Sequence, residues 1–131
     1  MSDQPFYSCE IPVRWGDMDA FGHVNNAIYF RYFEEARFQM LLAKGISNIT
    51  DSYPVLINIG CTFLRPVFHP DILRIDTFLS APGRSSFIAT YKVYSSHDPQ
   101  TPCSEGHSKI VWVDKSTGKS VALPDAVKAW F

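Results

Sequence analysis

The segment Arg14-Trp15-Gly16-Asp17-Met18-Asp19-Ala20-Phe21-Gly22-His23-Val24-Asn25-Asn26 brings two acids, two glycines, a histidine and two amides together in one short stretch. A positioned carboxylate can take a proton from water or attack a carbonyl carbon directly. Free backbone N–H groups at the start of a helix can hold the negative charge that develops on the carbonyl oxygen. Asp19 stands a few residues ahead of such a start, because an amphipathic stretch begins at Ala27. Taken as residue types alone, Asp17 and Asp19 are equally ordinary turn carboxylates, and Asn25 or Asn26 an ordinary N-cap. His23, four residues after Asp19, fits an acid–base partner or a loop imidazole bonded to backbone.

The elements around this loop must hold it still. Residues 6–14 read as a strand, with Ile11 and Val13 alternating against Pro12 and Arg14. Over 27–44 the positions Tyr29, Phe33, Ala36, Met40 and Ala43 recur at three-four spacing, and Lys44-Gly45 makes a stop. This is the one long helix. The remainder reads as strands. Residues 54–65 carry Val55, Ile57, Ile59, Cys61 and Phe63 at period two, and 72–81 follow after the breakers Pro66 and His69-Pro70-Asp71. Residues 86–96 place Phe87, Ala89, Tyr91 and Val93 on one face, and 104–113 end at the turn-forming Asp114-Lys115-Ser116-Thr117-Gly118. Pro124 suits the opening of a short terminal helix. Strand, long helix and four more strands predict an α+β fold, an antiparallel sheet packed on that helix. A sheet covered by one helix leaves an edge or face exposed, so self-association is expected.

Bulk properties narrow the function. A chain of 131 residues predicts one domain, 1–131. A net charge of −1 removes the electrostatic case for nucleic-acid binding. Cys9, Cys61 and Cys103 are odd in number and widely spaced, matching neither a disulfide framework nor a zinc knuckle. The opening Met1-Ser2-Asp3-Gln4-Pro5 lacks a basic flank and an apolar core, and no stretch is long enough to span a bilayer. A soluble cytoplasmic protein with no membrane insertion is expected. His69, His97 and His107 share no metal spacing, and no flavin or nucleotide loop is present, so no cofactor and no metal is expected.

The loop, with Ala27, Tyr29 and Phe33-Glu34-Glu35-Ala36-Arg37, resembles the hotdog-fold thioesterases of the 4-hydroxybenzoyl-CoA thioesterase-like group. Weaker echoes follow in Leu64-Arg65-Pro66-Val67, Gly83-Arg84-Ser85-Ser86 and Val113-Asp114-Lys115-Ser116-Thr117-Gly118-Lys119, so the resemblance spans nearly the whole chain. The version His23-Val24-Asn25-Asn26 looks most like bacterial long-chain acyl-CoA thioesterases and plant acyl-carrier-protein thioesterases; the plant enzymes carry asparagine where Phe21 stands here. The resemblance implies a five-stranded antiparallel sheet wrapped around one long helix, and hydrolysis of a fatty or aromatic acyl-CoA without a cofactor. It implies that Asp19 is the catalytic carboxylate, as general base or nucleophile, and that the Asn26 backbone N–H holds the oxyanion. His23 would tune or orient Asp19, and Asp17 would order the loop, with Gly16 and Gly22 permitting tight turns. Asn25 and Tyr29 would touch substrate, while Arg65, Arg84, Ser85 and Ser86 would meet the coenzyme A phosphates. The active site would lie between subunits of a homodimer or homotetramer. Glu35 is expected to be solvated, or to pair with Arg31 or Arg37, rather than to react. An acyl-carrier-protein substrate and a non-catalytic acyl-CoA-binding domain are the competing readings.

Overall fold

The computed structural model describes residues 4–46 and 51–131; Met1, Ser2 and Asp3, part of the segment expected to carry no leader, lie outside it. Strand β1 (Tyr7–Pro12) leads through a single 3-10 turn (Trp15–Asp17) and the loop into helix α1 (Ile28–Ala43). Strands β2 (Ser52–Phe63), β3 (Ile72–Ser80), β4 (Ser86–Ser95) and β5 (Ser104–Asp114) follow, and a short α2 (Asp125–Lys128) ends the chain. The strands form one antiparallel sheet in the order β1-β3-β4-β5-β2. Consecutive β1 and β2 are therefore the two opposite edges, and the segment joining them, α1, must cross a face of the sheet. The expected helix-in-sheet hotdog arrangement follows from that connection.

Tyr29, Tyr32, Phe33, Ala36 and Met40 are the buried positions of α1, one stripe at three-four spacing. Tyr29, Tyr32, Phe33 and Ala36 meet Leu73 and Ile75 of β3, Phe87, Ala89, Tyr91 and Val93 of β4, and Ile110 and Trp112 of β5 in one core. Phe33 lies flat on Tyr91, with ring centroids 4.6 Å apart and planes 10° from parallel. Burying a side chain of this size contributes roughly 1.5–3 kcal/mol. Gly106 makes the stack possible. A Cβ there would sit 2.5 Å from the Phe33 ring, so the missing side chain lets the helix settle onto β5. Ala43, expected in the stripe, is exposed, because the last helical turn runs past the core; Tyr32 is inside instead.

Both helix ends differ in detail from expectation. The N-cap is Ala27, already in helical φ/ψ, and neither asparagine. Asn25 instead accepts the Ala27 N–H on Oδ1 at 2.9 Å, from two residues upstream. At the other end Gly45, at φ 84°, closes a Schellman motif: Ile46 N–H donates to Leu41 O at 2.8 Å and Gly45 N–H to Leu42 O at 3.1 Å.

Strand β2 departs from simple alternation. Its pairing with β5 skips Ile57, between Leu56↔Ile110 and Asn58↔Lys109, which is a β-bulge. The bulge flips the phase, so Leu56 rather than Ile57 shares the helix-side face with Ile59, Cys61 and Phe63, and Ile57 is 56% exposed. No residue of β2 is fully buried, although that face is apolar.

Candidate active site

The loop between β1 and α1 is built around a tight turn. Met18 bridges Val24, Asp19 N–H donates to His23 O at 2.9 Å, and Gly22 N–H donates to Asp19 O at 3.1 Å. Gly22 sits at φ 89°, where a side chain would be strained, which is why glycine stands there. Gly16 has no such backbone; it lies in the 3-10 turn at an ordinary φ, so the tight-turn role expected of it does not hold.

Asp19 is the first residue of this turn. Its Oδ1 accepts the Phe21 N–H at 2.9 Å, a local bond that fixes the side chain. Its Oδ2 lies 4.0 Å from His23 Nδ1, with the Asp19 side chain 25% exposed and that of His23 40%. One oxygen thus serves the turn and the other remains available for chemistry.

Asp17 orders the loop. It is buried, and its Oδ2 accepts the Arg14 N–H at 2.9 Å and the Tyr32 O–H at 2.8 Å. The Arg14 guanidinium stands 3.5 Å from Oδ1. Asn25 N–H donates to Asp17 O at 3.0 Å, and Val24 N–H to Val67 O at 2.8 Å. The loop is thereby tied to α1 through Tyr32 and to the β2–β3 connection through Val67.

At the mouth of α1, Asn25 Oδ1 takes the Ala27 N–H, Asn25 O takes the Ile28 N–H and Asn26 O takes the Tyr29 N–H. Among the described residues nothing accepts from the Asn26 N–H. A donor at a helix start with no internal acceptor is a ready place for a developing oxyanion. Asn26, His23 and Tyr29 line one cavity of about 210 Å³ with Phe63, Leu64 and Arg65. Tyr29 is a core residue and a wall at once: it meets Phe63 edge-on at 4.9 Å, and burial pushes its phenol up to about 12.

His23, Asn26, Tyr29 and Arg65 therefore line one cavity, while Asp19 and Asn25 belong to the same loop without lining it. The guanidinium of Arg65 is already engaged, bonding Asp98 and the Thr101 carbonyl at 2.5 Å each. That contact holds the Asp98 carboxyl below the usual carboxylate range. Arg84, Ser85 and Ser86 lie elsewhere. Ser86 is in register with Val111 and, across β5, with Val55, whereas Asn26 sits by Phe63 at the other end of β2. Eight strand residues separate the two ends, about 26 Å. Glu35 is solvated, one of its two expected states, and pairs with neither arginine; it accepts from Gln39 at 2.9 Å, while Arg31 meets Glu34 at 3.3 Å.

Three participants had no individual signal in the sequence. Tyr32, the helix's hold on Asp17, is one more aromatic in an apolar stripe. Phe63 and Leu64 read as the end of a strand, and only the pairing of β2 with β5 brings them to the helix mouth. Among the described residues no three His, Cys, Asp or Glu side chains gather as a metal site, and no helix is long and apolar enough to cross a membrane.

Comparison with known proteins agrees with this geometry. The family model of the thioesterase-like superfamily matches residues 13–131. The PA2801 protein of Pseudomonas aeruginosa superposes with a TM-score of 0.92 at 38% identity, over 96% of this chain and 98% of that one. YsmA of Bacillus subtilis is 33% identical over 120 residues, covering 91% of this chain and 80% of its own. The long-chain acyl-CoA thioesterase FadM of Escherichia coli is 29% identical over 123 residues, covering 87% and 88%. With a helix-spanning hotdog sheet, a fixed loop carboxylate and a family match over nearly its full length, the chain belongs to the thioesterase-like superfamily and is a thioester hydrolase.

Proposed function

We propose that the chain hydrolyses acyl-CoA thioesters to the free acid and coenzyme A. The observation that carries the reading is the pairing, on one loop, of a carboxylate oxygen its own turn does not use with a helix-start N–H that has no acceptor among the described residues. Asp19 Oδ2 takes a proton from water as the oxygen attacks the thioester carbon. The carbonyl oxygen becomes an oxyanion against the Asn26 N–H. When the intermediate collapses, the C–S bond breaks and the thiolate receives the proton from Asp19. In the covalent variant Asp19 Oδ2 attacks the thioester carbon and the C–S bond breaks to expel the thiolate; water then opens the acyl-enzyme anhydride, restoring the Asp19 carboxylate and releasing the acid and a proton that the thiolate takes up. His23 stands beside Oδ2 in either route and orients it.

The site works as part of a homo-oligomer in this reading. Edge strand β2 has no strand on its outer side among the described residues and exposes Ile57 on the face away from α1, a surface suited to a second copy. Antiparallel pairing of two β2 edges brings the β3–β4 turn of the second copy to the Asn26 end. Arg84, Ser85 and Ser86 then have a route to the coenzyme A phosphates that they lack within one chain. The free thiols Cys9, Cys61 and Cys103 support a cytoplasmic setting.

The test is thiol release from acetyl-, medium-chain, long-chain and aromatic acyl-CoAs and from an acyl-carrier protein. Burial pushes the thiols of Cys9 and Cys61 up to about 11, so the protein itself reacts slowly with the thiol reagent. Release from acyl-CoA supports the reading. Release from the carrier protein alone reassigns the substrate, and tight acyl-CoA binding without release replaces catalysis by ligand binding.

A further inference from the structure

The acyl group has somewhere to go. A second cavity, of about 260 Å³, lies between the later half of α1 and the start of β2; Phe38, Met40, Leu41, Leu56, Phe87 and Ile110 are among its lining residues. Phe87 is backed by the chain's own C-terminus, with Trp130 at 6.2 Å and Phe131 at 5.7 Å between ring centroids. The two cavities occupy opposite ends of the same helix–strand seam: the first joins the start of α1 to the end of β2, the second the later part of α1 to the start of β2. Between them the β2 side of the seam is Ile59 and Cys61, apolar and only half-buried.

Resting on the acyl-CoA reading above, we infer that this seam holds the substrate's hydrocarbon tail and that the distal cavity receives its methyl end, making the enzyme selective for straight fatty acyl groups of about ten to eighteen carbons. The length follows from the helix. From Asn26, where the carbonyl oxygen sits, to Glu34, Phe38 and Leu41 is 8, 12 and 15 residues, or about 12, 18 and 22 Å along α1. With a C–C bond of about 1.5 Å and an angle of about 111°, an extended alkyl chain advances roughly 1.25 Å per carbon. The cavity therefore begins about ten carbons from the carbonyl, centres near fourteen and ends near eighteen. An aromatic acyl group stops far short of it. Glu34 and Arg37 are the charged residues of the lining, and the Arg37 guanidinium is turned to the Tyr91 hydroxyl at 3.3 Å, so the lining is mostly hydrocarbon.

The experiment is kcat/KM for a series of acyl-CoAs from C4 to C18 with benzoyl-CoA alongside, in wild type, Leu56→Trp and Leu41→Trp. Leu56 is 38% exposed and Leu41 half-buried, so both can accept a larger ring without reopening the core. Wild-type kcat/KM should rise about three- to fourfold per methylene from C10 to C14 and level off beyond about C16. Each tryptophan should lower the C14-to-C8 ratio at least tenfold. A flat profile, a preference for benzoyl-CoA, or equal losses at every length overturns the inference. So does a Leu56→Trp variant with altered oligomeric state and an unmoved profile, since a second copy would then be what covers the seam. If wild type hydrolyses no acyl-CoA, the acyl-CoA reading itself fails, and calorimetric binding of free myristate reads the seam directly: binding lost in Leu56→Trp upholds the tail site, and no binding to wild type overturns it.

Discussion

Replacing Asp19 by asparagine separates the turn bond its carboxylate makes from the catalytic task proposed for it. Asparagine retains an Oδ1 acceptor for the Phe21 N–H, so the 2.9 Å bond that shapes the turn survives. What disappears is the negative charge and basicity at the other oxygen, the one 4.0 Å from His23 Nδ1. Losing a positioned general base costs about 10²–10⁴-fold in rate. That corresponds to about 2.7–5.4 kcal/mol of transition-state stabilisation. The cost to folding should stay within about 0.5 kcal/mol, because the turn is near the surface and keeps its bond. Thiol-release kinetics and urea unfolding on the same preparation then give opposite answers: kcat/KM falls at least a hundredfold and the unfolding midpoint holds. Asp19→Ala loses the turn acceptor as well, and should add roughly 1 kcal/mol of destabilisation to the same kinetic defect. If the asparagine variant keeps its rate within threefold at an unchanged midpoint, Asp19 is a turn residue and nothing more.

Tyr32→Phe removes the hydroxyl that donates to buried Asp17 and should destabilise the chain by about 1.5–3 kcal/mol in urea unfolding. Gly106→Ala drives a Cβ into the Phe33 ring and should cost about 1–3 kcal/mol. Combining it with Phe33→Leu should recover part of that loss, a coupling a double-mutant cycle reads directly. Asp71 contributes to the acid limb of stability. Burial alone would raise its pKa, but hydrogen bonds from Ser95, Ser96 and the Ile72 N–H hold it below its ordinary value. Its contribution is complete above about pH 4 and disappears as pH falls through the lowered folded value, so Asp71→Asn should flatten that part of the stability-versus-pH curve.

Much of the architecture can be read from local pattern. The helix announces itself through Tyr29, Phe33, Ala36 and Met40, and its end through Lys44-Gly45, because both depend on neighbours within a turn. Strand β4 is equally plain, since all four of its apolar alternates are buried. Strand β2 misleads because the bulge at Ile57 is set by its register against β5, a partner some fifty residues away in sequence. The position of β2 at a sheet edge is likewise a property of the whole topology. In the site, a carboxylate just ahead of a helix start is legible in Asp19 and the residues that follow, and only the family resemblance gives it a chemistry. That Asn25 rather than Asn26 would supply the local side-chain acceptor, freeing the Asn26 N–H, depends on the path of three consecutive residues. The remoteness of Arg84, Ser85 and Ser86 from the loop depends on strand order alone.

The contact of Phe33 with Gly106 and Tyr91 also bears on how such a chain diverges. With no Cβ at Gly106 and a ring lying flat between helix and sheet, the height of α1 above β5 is fixed by hard contact. Descendants of this sequence cannot widen or narrow the seam by floating the helix without giving up that stack. They are left with exchanges among side chains that border it, such as Phe38, Leu41 and Leu56, which stand partly in solvent and tolerate replacement. If the seam holds the acyl tail as proposed, substrate preference is thereby uncoupled from the core. A lineage can explore new acyl groups in single steps while its folding problem stays solved.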